Sequence, residues 1–125
     1  MDPVDVVTEL WARIDERDWP GLGEVLAEDV VIEWPVSREL IRGRGNVVAV
    51  NAEYPEGWSI RVIRVIGSDE QVASEVEVPI AGLGTFRVAS FWTVAQSRVT
   101  WAREYWTSLG ADEAPSWRRG YTETL

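Results

Sequence analysis

The sequence predicts an α+β fold, with three N-terminal helices on the concave face of a curved antiparallel sheet. Apolar residues recur at helical spacing only in the first part of the chain, up to about residue 54. From Trp58 onward the period becomes two. The four alternating runs that follow are separated only by short turn segments. Helices first and a long sheet afterwards place the helices on one sheet face. A sheet of that length must curl, because strands twist. Helices closing a curled sheet make a cone with a central pocket. The other sheet face then needs a cover, and a second copy of the chain is the simplest one, which predicts a homodimer through the sheet.

Asp2-Pro3 reads as an N-cap followed by proline in the first helical turn. Val4, Val7, Trp11 and Ile14 follow at helical spacing beside Leu10, and Glu9 and Arg13 stand four apart on the wet side. A helix over about 3–17 is expected. Asp18-Trp19-Pro20 opens a second, shorter helix carrying Leu22, Val25 and Leu26. Val30 to Trp34 is a short strand closed by Pro35, and residues 37–44 read as a polar loop. A third helix covers 46–54, with Val47, Val50, Asn51 and Tyr54 on one side, and Pro55-Glu56-Gly57 ends it. Strands are expected over 58–66, 72–80, 85–95 and 98–107, arranged as a meander. Pro115 could open one short helix in the tail.

Composition excludes more chemistry than any motif includes. The chain has 125 residues, the size of one domain spanning 1–125, and that length buries roughly two-thirds of its unfolded surface. Twelve basic residues against 21 acidic ones give a net charge of −9. All the basic residues are arginine; lysine, histidine and cysteine are absent. Disulfides, Cys or His metal sites, Ser-His-Asp or Cys-His nucleophiles and Lys Schiff bases are therefore excluded. Acid/base work falls to Asp, Glu, Tyr, Arg or ordered water. No metal or cofactor is expected. The acidic balance argues against nucleic acid and against anionic membrane surfaces. No apolar run reaches the ~20 residues of a membrane span, and Met1-Asp2-Pro3 does not open a signal peptide, so a cytoplasmic chain is expected. Arginine without lysine, beside abundant Val, Ala, Gly and Trp, suggests a GC-rich bacterial source.

Four features could carry chemistry. Glu75 and Glu77 are two apart in a strand and share a face, with Val76, Val78 and Ile80 on the other. They form either a wet strip or a pair of crowded carboxylates lining the cone, where one would hold a proton. In the last strand Trp101, Arg103, Tyr105 and Thr107 share a face, opposite Thr100, Ala102, Glu104 and Trp106. Arg103 is either half of an ion pair with Glu75 or Glu77 or an oxyanion-stabilising group. Eight tryptophans supply core, interface or pocket wall, with Trp34 and Tyr54 the first candidates for the wall. Arg38, Arg42 and Arg44 form a basic loop, either tied to acidic neighbours or open to an anion.

The chain also resembles a known superfamily. Leu10-Trp11-Ala12, Asp18-Trp19-Pro20 and Leu26 to Val30 are similar to the opening of the nuclear transport factor 2-like superfamily, and in particular to its SnoaL-like bacterial members. Glu39 to Arg44 resembles the loop before their third helix, Arg103 to Trp106 their last strand, and Ala114 to Arg118 the tail of an uncharacterised subgroup. The resemblance covers essentially the whole chain. It implies a cone-shaped, cystatin-like fold with a deep pocket and usually a homodimer. Members include polyketide cyclases, ketosteroid isomerase, limonene-epoxide hydrolase and binding proteins without catalysis.

The hydrolases carry an Arg-x-Asp pair on a middle strand and an Asp after the aromatic pair of the last strand. Glu77 could stand for the first Asp, but Glu75 replaces the Arg and Thr107 the second Asp. That disfavours hydrolase activity. The expectation is a SnoaL-like domain whose pocket, with Trp34, Tyr54, Trp101, Tyr105 and Thr107, takes a small hydrophobic molecule. Glu77 or Glu75 would be the base and Tyr105 or Arg103 its electrophilic partner in a lyase, isomerase or cyclase acting on a carbonyl compound. The alternative is a binding or dimerisation domain without catalysis.

Overall fold

The computed structural model describes residues 1–125. Helix α1 (Pro3–Asp15) starts where the sequence places it, because Asp2 Oδ1 accepts the Asp5 N–H at 3.0 Å. Its buried face is Val6, Val7, Leu10, Trp11 and Ile14. Helix α2 (Trp19–Glu24) is capped the same way by Asp18, which accepts the Gly21 N–H at 2.9 Å. Then come β1 (Leu26–Trp34), β2 (Glu39–Arg42), α3 (Arg44–Glu53), β3 (Arg61–Ser68), β4 (Gln71–Ile80), β5 (Gly84–Ala95) and β6 (Arg98–Ser108). A single 3₁₀ turn, Ser116–Arg118, marks the tail. No helix is long and apolar enough to cross a membrane.

The six strands form one curved, unclosed sheet in the order β2-β1-β6-β5-β4-β3. Strands β3 to β6 are the expected antiparallel meander. Three features differ from expectation. Helix α2 stops at Glu24, so Leu26, expected on it, instead opens β1. Residues 39–42 form β2, a short edge strand on β1, where a polar loop is predicted. And β1 lies parallel to β6, so the sheet is mixed. The chain lays down one edge of the sheet, crosses by α3, and builds the rest from the opposite edge inward until β6 reaches β1.

The inner face packs on the helices. Val72, Val76, Val78 and Ile80 of β4 and Val88, Trp92 and Val94 of β5 join the buried face of α1 in one core of 22 residues. A bulge decides which β6 residues join them. The ladder partners of Thr93 and Val94 are Trp101 and Val99, so Thr100 is the extra residue. Val99 is buried before it, and Ala102 and Glu104 after it. Inward positions thus change from odd to even at Thr100.

Helix α1 approaches β3 at Gly67. A Cβ there would stand 2.8 Å from Val4 Cγ2 and 3.1 Å from the Gln71 carbonyl oxygen. Gly67→Ala is therefore expected to destabilise the fold by about 1–3 kcal/mol through overpacking, measured as a lower urea midpoint. An unchanged midpoint would show that α1 is not held at this distance.

Candidate functional site

A cavity lies between the helices and the inner sheet face. Counted with the open space at its mouth it measures about 620 Å³. Residues of α1, α2 and α3 wall one side, and Trp34, Val78, Trp92 and Trp106 the other. Trp11, Trp34, Tyr54, Trp58, Trp92 and Trp106 are among its lining side chains, and its closed part admits only a small group. A second chamber of about 560 Å³, also counted with its opening, adjoins it beside Val36, Ser37, Glu39 and Phe86. Trp34, Tyr54, Glu104 and Trp106 line both chambers and mark their junction. Tyr54 stacks on Trp106 at 6.4 Å between centroids, and Trp34 meets Trp106 edge-on at 6.3 Å.

Glu104 is the acid at that junction. It is 5 % exposed and has no basic partner. Ser90 Oγ donates to its Oε2 at 2.7 Å and Trp34 Nε1 donates to its Oε1 at 3.1 Å. Burial pushes the carboxyl above the usual carboxylate range, and these two bonds only partly oppose it. No basic side chain lines either chamber. The remaining polar side chains of the inner wall are few. Asn51 has its Nδ2 committed to the Val47 carbonyl at 2.8 Å, and the Trp58 and Trp106 indole N–H groups have no partner. A carboxyl held this way can give a proton to a ligand oxygen or take one from carbon.

Trp34 and Tyr54 line the cavity. Glu75, Glu77, Trp101, Arg103, Tyr105 and Thr107 lie on the opposite, outer sheet face. Glu75 and Glu77 alternate with the buried Ser74, Val76 and Val78 and bind arginines there. Arg87 bridges both, at 3.0 Å to Glu75 and 3.2 Å to Glu77; Arg64 adds a contact to Glu75 and Arg61 one to Glu77. Hydrogen bonds from Arg61 and then Arg87 hold the Glu77 carboxyl below its usual range. Arg103 pairs with Glu33 at 3.3 Å, not with Glu75 or Glu77, and Trp101 Nε1 donates to Glu33 at 2.7 Å. Tyr105 packs edge-on against Phe91, and Thr107 donates to the Arg87 carbonyl. Within the basic loop Arg44 Nε donates to the Leu26 carbonyl, while Arg38 and Arg42 are exposed. The structure thus brings Trp34 and Tyr54 together with Glu104, which the sequence reading did not single out, and separates Trp101, Arg103, Tyr105 and Thr107 from them. The bulge at Thr100 is the physical reason. No cluster of three or more acidic side chains converges to hold a metal ion.

Residues 7–102 match the model of the SnoaL-like domain. The chain belongs to the SnoaL-like domain family. Solved structures share its nuclear transport factor 2-like fold. A protein from Kribbella flavida, provisionally named a ketosteroid isomerase, is 26% identical with a TM-score of 0.89, covering 97% of this chain and 87% of that one. A protein of unknown function from Burkholderia xenovorans, described as NTF-2 like, is 20% identical with a TM-score of 0.79 and covers 97% and 93%. An epoxide hydrolase of limonene-epoxide-hydrolase type from Mycobacterium tuberculosis is 21% identical with a TM-score of 0.72 and covers 84% and 82%. The last two show the shared fold alone. No curated protein sequence matches the chain.

The buried acid of this SnoaL-like domain has a signature in stability. Its folded-state pKa lies above the unfolded value of about 4.3. Between the two, the folded chain holds the extra proton, so stability falls as pH rises. The loss begins near the unfolded pKa and is complete once pH passes the folded one. Urea unfolding of wild type and Glu104→Gln should therefore show wild type losing ground to the variant as pH rises above about 4. A stability difference independent of pH would mean that Glu104 is not desolvated.

Proposed function

We propose that the chain is a small-molecule acid/base domain, in which Glu104 exchanges a proton with a compact, apolar, carbonyl-containing ligand. One observation carries this reading: the only carboxyl at the junction of the two chambers is buried, raised in pKa and free of any cation. A carboxyl whose pKa is raised by burial suits proton transfer at a carbon beside a carbonyl. The aromatic walls of Trp34, Tyr54 and Trp106 would orient a flat apolar body, and lack of basic lining disfavours anionic ligands. The provisional name of the Kribbella flavida protein is compatible with this chemistry. Hydrolase chemistry gains no support, since Glu77 is bound by arginines and Thr107 lies on the outer face. A binding domain without turnover would use the same walls. The outer face, with Phe91, Tyr105 and Ile66 exposed, would serve a homodimer through the sheet.

The test is α-proton exchange. A panel of small cyclic and aryl ketones in D₂O is followed by mass spectrometry, with tryptophan fluorescence reporting binding. Wild type is expected to incorporate deuterium beside the carbonyl, and Glu104→Gln to lose about 10²–10⁴-fold of that rate while still quenching. Quenching without exchange in wild type would leave the binding reading. Equal exchange in both proteins would remove Glu104 from the chemistry.

A further inference from the structure

Two places in this chain seat a cation between an indole ring and a carboxylate. The Arg17 guanidinium lies 3.5 Å from the centroid of the Trp58 ring and bonds Glu56 at 2.8 Å. The Arg103 guanidinium lies 5.2 Å from the centroid of the Trp101 ring and bonds Glu33 at 3.3 Å. Each set joins the negative face of an aromatic ring to a formal negative charge, and both attract a cation.

The second chamber, beside Glu39 and Phe86, assembles a third indole–carboxylate set, and no arginine lines it. Trp34 and Glu39 are direct partners in the antiparallel β1–β2 ladder. Their side chains therefore leave on the same face, with Cβ atoms ~5 Å apart. Tyr54, Phe86 and Trp106 complete the aromatic wall, and Glu104 stands at its inner end. The Trp34 and Trp106 ring planes are inclined by 69°, so they can enclose a round head from two sides. Glu39 is exposed at the rim and forms no ion pair; the arginine–carboxylate pairs of the chain all lie elsewhere. The two arginines nearest to it in sequence do not reach the chamber. Arg38 belongs to the turn before β2, where its N–H donates to the Pro35 carbonyl. Arg42 alternates onto the other face of β2 with Leu40, opposite to Glu39 and the buried Ile41.

We propose that this chamber binds the alkylammonium head of a small ligand, with the rings of Trp34, Tyr54 and Trp106 against its alkyl groups and Glu39 against its charge. The head supplies here what Arg17 and Arg103 supply at their own indoles. This inference rests on the reading of the cavity as a small-molecule site and narrows the ligand class. The ligand is a carbonyl compound that carries an ammonium group in the second chamber and directs its apolar end into the first. A net charge of −9 draws such a cation toward the protein. Glu104 lines the same chamber, so a cation bound there favours its carboxylate form, the form that takes a proton from carbon. A neutral ligand of the same shape has neither advantage.

The test compares choline with 3,3-dimethyl-1-butanol, the neutral molecule in which carbon replaces the quaternary nitrogen. Calorimetry and tryptophan fluorescence read the affinity of each. Wild type is expected to bind choline about tenfold more tightly than the neutral compound. Glu39→Gln should cut that preference about three- to tenfold. Glu123→Gln, which removes the same charge from the exposed tail, should leave it unchanged. Equal loss in the two variants would reduce the effect to long-range attraction by net charge and overturn the site. A preference that Glu39→Gln leaves intact would place the head elsewhere and overturn the assignment to this chamber. Equal affinity for the two compounds, or binding of neither, overturns the ammonium site alone. The acid/base reading then still stands or falls on ketone exchange by wild type and Glu104→Gln, which needs no cation.

Discussion

The structure is organised around a carboxyl taken out of water with no cation beside it. An isolated buried carboxylate is costly, so such a group neutralises by holding its proton. Glu104 meets neutral donors only, from Trp34 and Ser90, and faces a wall of aromatic rings. Twelve arginines are available in the chain. Four of those on the sheet are spent on other carboxylates: Arg61, Arg64 and Arg87 on Glu75 and Glu77, and Arg103 on Glu33. The sheet thereby sorts its charge by face, with ion pairs outside and one unpaired acid inside.

That sorting depends on the register of β6. The ladder with β5 sets Glu104 opposite Ser90, and the parallel ladder with β1 sets Glu33 opposite Arg103. Trp34 therefore arrives on the inner face within reach of Glu104. Without the extra residue at Thr100, alternation from the buried Val99 would send Trp101, Arg103 and Tyr105 inward and Glu104 out. A single bulge thus selects which of two faces, both rich in aromatic residues, meets the cavity.

Local chemistry made much of the fold legible. The Asp2-Pro3 cap and the α1 stripe set the first helix to within a few residues, and strict alternation did the same for β4 and β5. What was missed is non-local. Strand β2 is four residues long in a charged segment and exists because β1 pairs with it. The parallel contact of β1 with β6 joins segments some seventy residues apart, which no local pattern announces. The candidate site is half legible: the sequence marks Trp34 and Tyr54 as wall residues and does not mark Glu104 as the acid. Its signal was present in the set Ala102, Glu104 and Trp106, a small residue and an acid beside an aromatic one on a face otherwise fit for a core. Choosing that face over Trp101, Arg103 and Tyr105 required knowing the bulge.

The SnoaL-like fold by itself leaves the chemistry open, because one scaffold serves many reactions. The claim that carries the functional account is narrower: burial raises the Glu104 carboxyl above the ordinary carboxylate range. The direct measurement is a ¹³C NMR titration of the glutamate side-chain carboxyls, with the Glu104 resonance assigned by its absence in Glu104→Gln. The account predicts a midpoint clearly above the ordinary value of about 4.3. A midpoint at or below that value would show a hydrated or cation-paired carboxyl and would contradict it.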